Sequence, residues 1–230
     1  MKTLGIIGGI GPESTIDYYR SLIQAWREQT KDGSSPAIVI NSIDLKKMLD
    51  LIAAKALSEV TAYLSGEMHK LARAGAAVGL FAANTPHIVF DELQRRSSIP
   101  LISIVEATRE AAEELGLRRL GLFGTRFTMQ GHFYADVFSK AGIALIIPDE
   151  NEQAYIHDKY MKELVKGVFL PETRERLLAI VDRLAQQEHA QGLILAGTEL
   201  PLILREANCG IPLLDTTQIH VKAALSCLFS

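Results

Sequence analysis

Two stretches of this 230-residue sequence set hydroxyl, amide and carboxyl groups directly after an apolar run. The first is Gly79-Leu80-Phe81-Ala82-Ala83-Asn84-Thr85-Pro86-His87, and the second is Gly192-Leu193-Ile194-Leu195-Ala196-Gly197-Thr198-Glu199-Leu200-Pro201. A short apolar run that breaks into polar residues reads as a buried parallel strand delivering side chains to a sheet edge. The proline that follows suits the first turn of a helix, where a missing N–H costs nothing. Asn84 and Thr85 then stand between a strand's carboxyl end and a helix's N-terminus. Free N–H groups and the helix dipole favour an anion there, so the chemistry on offer is recognition of a small anion. The plainer role for the same two residues is to cap the helix.

Thr85 and Thr198 lie 113 residues apart. A second pair, Leu4-Gly5-Ile6-Ile7-Gly8-Gly9 and Leu120-Gly121-Leu122-Phe123-Gly124-Thr125, repeats at an offset of 116. Two matched pairs at nearly one offset predict two copies of one α/β unit, whose four loops would face one cleft.

Other groups could move a proton. His87, one turn past Thr85, is either a base near the loop or a packing residue. Glu199 either points into the cleft as an acid or base or caps its own helix. His220, after Asp215-Thr216-Thr217, reads as a structural hydrogen-bonding residue where the halves join. Cys209 and Cys227 read as small buried hydrophobes. No Cys/His cluster has metal-ligand spacing, so no metal is expected. The glycine-rich loop Gly8-Gly9-Ile10-Gly11-Pro12 lacks both the dinucleotide spacing and the lysine of a P-loop, which leaves a small anion as the better fit.

These groups need strands and helices to hold them. Thr3 to Ile7 reads as the first strand, and Pro12 to Trp26 as a helix with Ile16, Tyr19, Ile23 and Trp26 on one face. Strands are predicted at Ala37–Asn41, Val78–Ala82, Ile102–Val105, Leu120–Phe123, Ile143–Ile147 and Gly210–Asp215. Helices are predicted over Lys46–Ala54, Ser58–Ala74, Glu106–Glu114, Gly131–Ala141, Glu152–Lys166, Glu172–Gln187 and Pro201–Ala207. The passage between halves falls near Ser98-Ile99-Pro100-Leu101, and the last helix is expected back in the first half. That makes residues 1–98 with 212–230 one α/β domain and 99–211 the other.

A formal net charge of −3 gives no electrostatic case for nucleic acid. No run approaches the roughly 20 apolar residues of a membrane span. Two cysteines make no disulfide framework, and Met1-Lys2-Thr3 runs straight into a strand without a leader pattern, so a cytoplasmic protein is expected.

The two turns, the loops Gly8-Gly9-Ile10-Gly11-Pro12-Glu13-Ser14-Thr15 and Gly124-Thr125-Arg126-Phe127-Thr128, and the tail Asp215-Thr216-Thr217-Gln218-Ile219-His220 together resemble the aspartate/glutamate racemase family, end to end. The resemblance implies cofactor-independent amino-acid racemisation, two similar doubly wound parallel-sheet domains with the ligand cleft between them, and a homodimer. It also implies two cysteines, one per half, that exchange the α-proton on opposite faces of the substrate. The positions that match them here are Ala83, before Asn-Thr, and Gly197, before Thr-Glu, and neither side chain carries a proton. Asn84, Thr85, Thr125, Thr128 and Thr198, with backbone N–H groups near Ile10 and Gly11, are the donors expected around an α-carboxylate. Lys166, Lys46 and Lys47 are candidate cations for an acidic side chain. Leu51-Ile52-Ala53-Ala54 is apolar where a polar contact to such a side chain would be sought. The alternative to a racemase is a non-catalytic protein that binds a small carboxylate.

Overall fold

The computed structural model describes residues 2–204 and 209–230. The predicted stretch Pro201–Ala207 is helical from Leu200 to Leu204, and its remainder lies outside the described residues. The chain divides into two compact units, Met1–Ile104 with His220–Ser230, and Val105–Ile219.

The first unit is built on three parallel strands, β1 (Leu4–Gly8), β2 (Ile38–Ser42) and β3 (Val78–Phe81), in the order β2-β1-β3. Ile6 pairs with Ile40 on one side and Leu80 on the other. Beyond β3, Leu101 adds one parallel bridge to Gly79. Both faces of this sheet are covered, which is why its strands read as continuous apolar runs. Leu4, Ile6, Val78 and Leu80 pack with Tyr18, Leu22 and Trp26 of α1 (Pro12–Thr30) and with Val221, Leu225 and Leu228 of α11 (Thr216–Phe229). Ile7 and Phe81 point to the opposite face. They pack with residues of α2 (Leu45–Ala53), α3 (Leu57–Arg73) and α4 (Phe90–Arg96). Each such Leu, Ile or Phe contributes about 1.5–3 kcal/mol by leaving water.

One expectation about α1 is reversed. Of the predicted stripe, Ile16 and Tyr19 are 43% and 47% exposed, and only Trp26 is buried. The buried row is Ser14, Tyr18, Leu22 and Trp26. Its polar members have partners that the periodicity does not reveal: Ser14 Oγ donates to the Ala82 carbonyl at 2.6 Å, and the Tyr18 hydroxyl pairs with His220 Nδ1 at 2.8 Å. With those bonds made, a serine and a tyrosine are buried at little cost.

The second unit holds four parallel strands, β4 (Arg119–Gly124), β5 (Ala144–Ile146), β6 (Gly192–Ala196) and β7 (Leu213–Asp215), in the order β5-β4-β6-β7. Phe123, Leu193 and Leu195 pack on Ile156 and Tyr160 of α8 (Glu150–Lys162) and on Leu177, Ile180 and Leu184 of α9 (Pro171–Gln187). α8 starts from a reciprocal cap in which Asp149 and Glu152 each bond the other's backbone N–H. It stops at Lys162, short of the predicted Lys166, and a 3₁₀ turn, Leu164–Lys166, leads to Gly167 at φ 72°. The remaining helices are α5 (Ile104–Glu114), α6 (Arg126–Met129), α7 (His132–Lys140) and α10 (Leu200–Leu204).

The strand at Leu213–Asp215 pairs with β6, so it counts with the second sheet and not, as the predicted 212–230 segment had it, with the first. Likewise the first unit runs to Ile104 rather than to residue 98. The predicted strand Ile102–Val105 is replaced by the single bridge at Leu101 and the start of α5. The reason is a third repeat. Ile99-Pro100-Leu101 and Ile211-Pro212-Leu213 enter the two sheets alike, with Gly79 N–H donating to the Pro100 carbonyl and Leu193 N–H to the Pro212 carbonyl, both at 2.9 Å. The units therefore share one strand plan, β2-β1-β3-bridge against β5-β4-β6-β7. A further echo is Tyr18 and Tyr134, 116 residues apart. Tyr18 bonds His220, and Tyr134 bonds the Thr108 side chain.

Candidate functional site

Asn84, Thr85, Thr125, Thr128, Thr198 and Glu199 lie at the carboxyl ends of their units' sheets or just beyond. In the first unit β1 ends at Gly8. A Cβ at Gly9, whose φ is 78°, would stand 2.3 Å from the Ile43 carbonyl, so only glycine fits. Gly9 N–H donates to Thr15 Oγ1 at 2.9 Å, which ties the loop to α1. Ile10 is buried in the core, and Gly11, at φ 109°, precedes the first turn of α1.

After β3, Ala83 is half-buried, Asn84 buried and Thr85 half-buried. Thr85–Val89 is a 3₁₀ turn, and α4 begins only at Phe90. The Asn84 side chain makes no capping hydrogen bond to that turn. His87 closes it from inside. His87 Nε2 accepts from Ile104 N–H at 3.2 Å, so Nδ1 carries the proton and donates to the Asn84 carbonyl at 3.1 Å. The ring stacks on Phe90 with centroids 4.6 Å apart. Burial, then the neighbouring His220, pushes its pKa down to about 3. The imidazole is neutral and both its nitrogens are committed. His220 is similar: Nε2–H donates to the Ile102 carbonyl at 3.0 Å, Nδ1 accepts from Tyr18, and burial lowers its pKa to about 4.

In the second unit, Thr125 follows β4 and its hydroxyl lies 3.2 Å from that of the buried Thr128. Thr125 makes no side-chain cap to α6. Arg126 N–H donates to His157 Nδ1 at 3.2 Å. Partial burial and the Arg126 charge hold that imidazole below its usual pKa. After β6, Gly197 is buried and Thr198 half-buried, while Glu199 is only 7% exposed. The Thr198 hydroxyl donates to Glu199 Oε2 at 2.8 Å, and the Tyr160 hydroxyl donates to the same oxygen. Burial, and then the Glu199 charge, raise the Tyr160 phenol well above its ordinary pKa, so the proton stays on the phenol. Tyr160 and His157, both on α8, were not foreseen. The only sequence signal for Tyr160 is its place on the helical row Glu152, Ile156, Tyr160.

The candidate cations are exposed on their units' surfaces. Lys166 is exposed at the end of its 3₁₀ turn. Lys46 is exposed and paired with Asp50, and Lys47 sits over the Tyr63 ring, 4.2 Å from its centroid. Leu51 to Ala54 end α2 and line the core only through Leu51 and Ile52. Cys209 and Cys227 are half-buried thiols against the two cores, and burial raises the Cys209 pKa. Among the described residues no group of three His, Cys, Asp or Glu side chains could hold a metal, and no helix is long and apolar enough to cross a membrane. A groove of about 490 Å³ runs along the outward row of α1, lined by Tyr19, Arg20, Ile23 and Arg27 among others, and holds none of the strand-end residues.

Known proteins share this fold. Residues 7–224 match the Asp/Glu/Hydantoin racemase family. The broad specificity amino-acid racemase RacX of Bacillus subtilis is 27% identical over 97% of this chain and 96% of its own. A Pyrococcus horikoshii aspartate racemase homologue is 31% identical with both chains fully covered and a TM-score of 0.89. The Picrophilus torridus aspartate racemase, 21% identical over 100% of this chain and 95% of its own, shares the fold at a TM-score of 0.77. With its two parallel-sheet units and a match along nearly its whole length, the chain belongs to the Asp/Glu/Hydantoin racemase family.

Proposed function

We propose that this protein binds a small amino acid, or a closely related carboxylate, in a cleft between its two domains and acts on the proton at Cα without a cofactor. The observation that carries this reading is one site plan written twice: Ala83-Asn84-Thr85 after β3 and Gly197-Thr198-Glu199 after β6, each beside a loop that follows the neighbouring strand. In parallel α/β sheets ligands bind at these strand ends. Ile10 and Gly11 offer backbone N–H groups, and Asn84, Thr85, Thr125, Thr128 and Thr198 offer side-chain donors, to an α-carboxylate. Lys166 is the proposed partner of an acidic side chain where the ligand carries one, and the apolar Leu51–Ala54 segment extends the ligand class to neutral amino acids. The broad specificity of the Bacillus subtilis relative, an amino-acid racemase, supports amino acids as the ligand class.

Ala83 and Gly197 stand at the family's two cysteine positions, so the ordinary exchange between two thiols is absent or rerouted in this reading. A cytoplasmic homodimer belongs to the same proposal, and the exposed Ile16 and Tyr19 on α1 support a covered face. The test is to titrate L-aspartate, L-glutamate and neutral amino acids by calorimetry, then follow their α-protons by NMR in deuterium oxide. Binding with α-proton loss is the expected outcome. Binding without exchange would make the protein a carboxylate-binding module, and no binding at all would reject the reading.

A further inference from the structure

Gly197 lacks a side chain, yet the space for one is occupied. A Cβ there would stand 2.5 Å from Tyr160 Cε2, 2.7 Å from its hydroxyl oxygen and 2.9 Å from Cζ. The phenol of Tyr160 thus lies where a side chain at 197 would begin. It is not there as packing alone. Its hydroxyl donates to Glu199 Oε2, and it also hydrogen-bonds the Thr198 side chain and the Glu199 backbone. Glu199 is itself buried, and takes a second hydrogen bond on the same oxygen from Thr198. A ring that only filled space would leave a hydroxyl to be satisfied. Here three groups of one strand end converge on it beside a carboxylate that is costly to bury.

We propose that Tyr160 and Glu199 together form the acid–base group of the second unit, in the place a side chain at 197 would hold; this rests on the amino-acid reading above. The Cα–H bond of the bound amino acid breaks and its proton passes to the Tyr160 oxygen. The phenolic proton moves at the same time to Glu199 Oε2. The electron pair of the broken bond stays on the substrate, spread into its carboxylate. Reprotonation runs the same path backwards, and nothing is oxidised or reduced. A phenol poised on a carboxylate serves as a relay even though its own pKa is high, because its proton is replaced as it leaves. The matching end of the first unit carries Ala83, and His87 beside it has both ring nitrogens bonded. Proton removal and return therefore occur on one face, and exchange outruns inversion.

The experiment compares the unaltered protein with Tyr160→Phe and Glu199→Gln, using both enantiomers of aspartate, glutamate, alanine and serine in deuterium oxide. α-Proton loss is read by NMR, inversion by chiral chromatography, and binding of the same amino acids by calorimetry. Tyr160→Phe keeps the ring in the Gly197 space, and Glu199→Gln reads the same pair should the phenylalanine variant fail to fold. The expected result is exchange faster than inversion in the unaltered protein, a loss of exchange of about 10²-fold or more in each variant, and affinity little changed. Exchange undiminished in the folded variants overturns this proposal and leaves the amino-acid reading standing. Inversion as fast as exchange overturns the one-sided mechanism. Neither binding nor exchange with any of the eight compounds overturns both readings together.

Discussion

The ends of β3 and β6 begin from one plan and are finished differently. After β3 a neutral imidazole, His87, is clamped between the Asn84 carbonyl and Ile104 N–H, and no ring nitrogen is left over. After β6 there is no histidine. A phenol from α8 occupies the Gly197 space and meets a carboxylate. The same contrast recurs deeper in each unit, where Tyr18 is answered by His220 and Tyr134 by Thr108. Two copies of a strand–turn unit can thus keep backbone and donors while one becomes a fixed wall and the other retains a proton-bearing pair.

The sharpest way to break the comparison is to supply the missing groups. The unaltered protein is expected to racemise aspartate and glutamate far more slowly than a two-thiol site would, since each acid–base group typically contributes about 10²–10⁴ in rate. Ala83→Cys needs only the space beside a half-buried alanine. Gly197→Cys needs the space Tyr160 fills, so it is paired with Tyr160→Ala. The triple variant should gain inversion, and either thiol alone much less, because inversion needs a proton source on both faces. Brisk inversion by the unaltered protein, measured by chiral chromatography, would show that the first unit already holds a base.

Acid should separate the units next. His87 and His220 have folded pKa values of about 3 and 4, below the unfolded value of about 6.5. Between those values the unfolded chain binds more protons, so the stability is complete above about pH 6.5. It falls as the pH drops towards 4, by about 1.4 kcal/mol per pH unit for each histidine. Both residues lie in the first unit. Hydrogen exchange compared at pH 7 and pH 5 should therefore show β1 and β3 losing protection before β4 and β6. Equal loss in both sheets would remove this difference between the units.

Gly197→Ala should cost about 1–3 kcal/mol in urea unfolding, as overpacking against the Tyr160 ring, and much less in a Tyr160→Ala background. Ala83→Gly in the first unit should cost no more than about 1 kcal/mol. A Gly197→Ala variant as stable as the unaltered protein would mean the ring does not hold that position in solution. At the threonines the effect is expected on ligand affinity rather than on stability. Thr85→Val should weaken carboxylate binding by about 1–3 kcal/mol, and Thr198→Val by less, because the Thr198 proton is already given to Glu199. Calorimetric affinities in the reverse order would place Thr198, not Thr85, against the ligand.

Much of this protein was legible in its sequence. Apolar runs broken by Gly, Thr and Pro mark the parallel strands and their polar ends, because burial on both faces and turn chemistry are local demands written in adjacent residues. The offsets of 113 and 116 residues announced the doubled unit, and Ile99-Pro100-Leu101 with Ile211-Pro212-Leu213 could have announced its fourth strand position as well. What the tertiary structure alone decided are meetings across the chain. Periodicity could not say which row of α1 faces the sheet, since that depends on Ser14 reaching Ala82 and Tyr18 reaching His220, 202 residues away. Nor could it say that His87 and His220 are neutral, because desolvation and hydrogen bonds from distant backbone set their charge. The phenol in the Gly197 space belongs to the same class. Tyr160 reads as one more apolar position on a helix until α8 is packed against β6, and only that packing brings it to Glu199, 39 residues on, in the space beside Gly197.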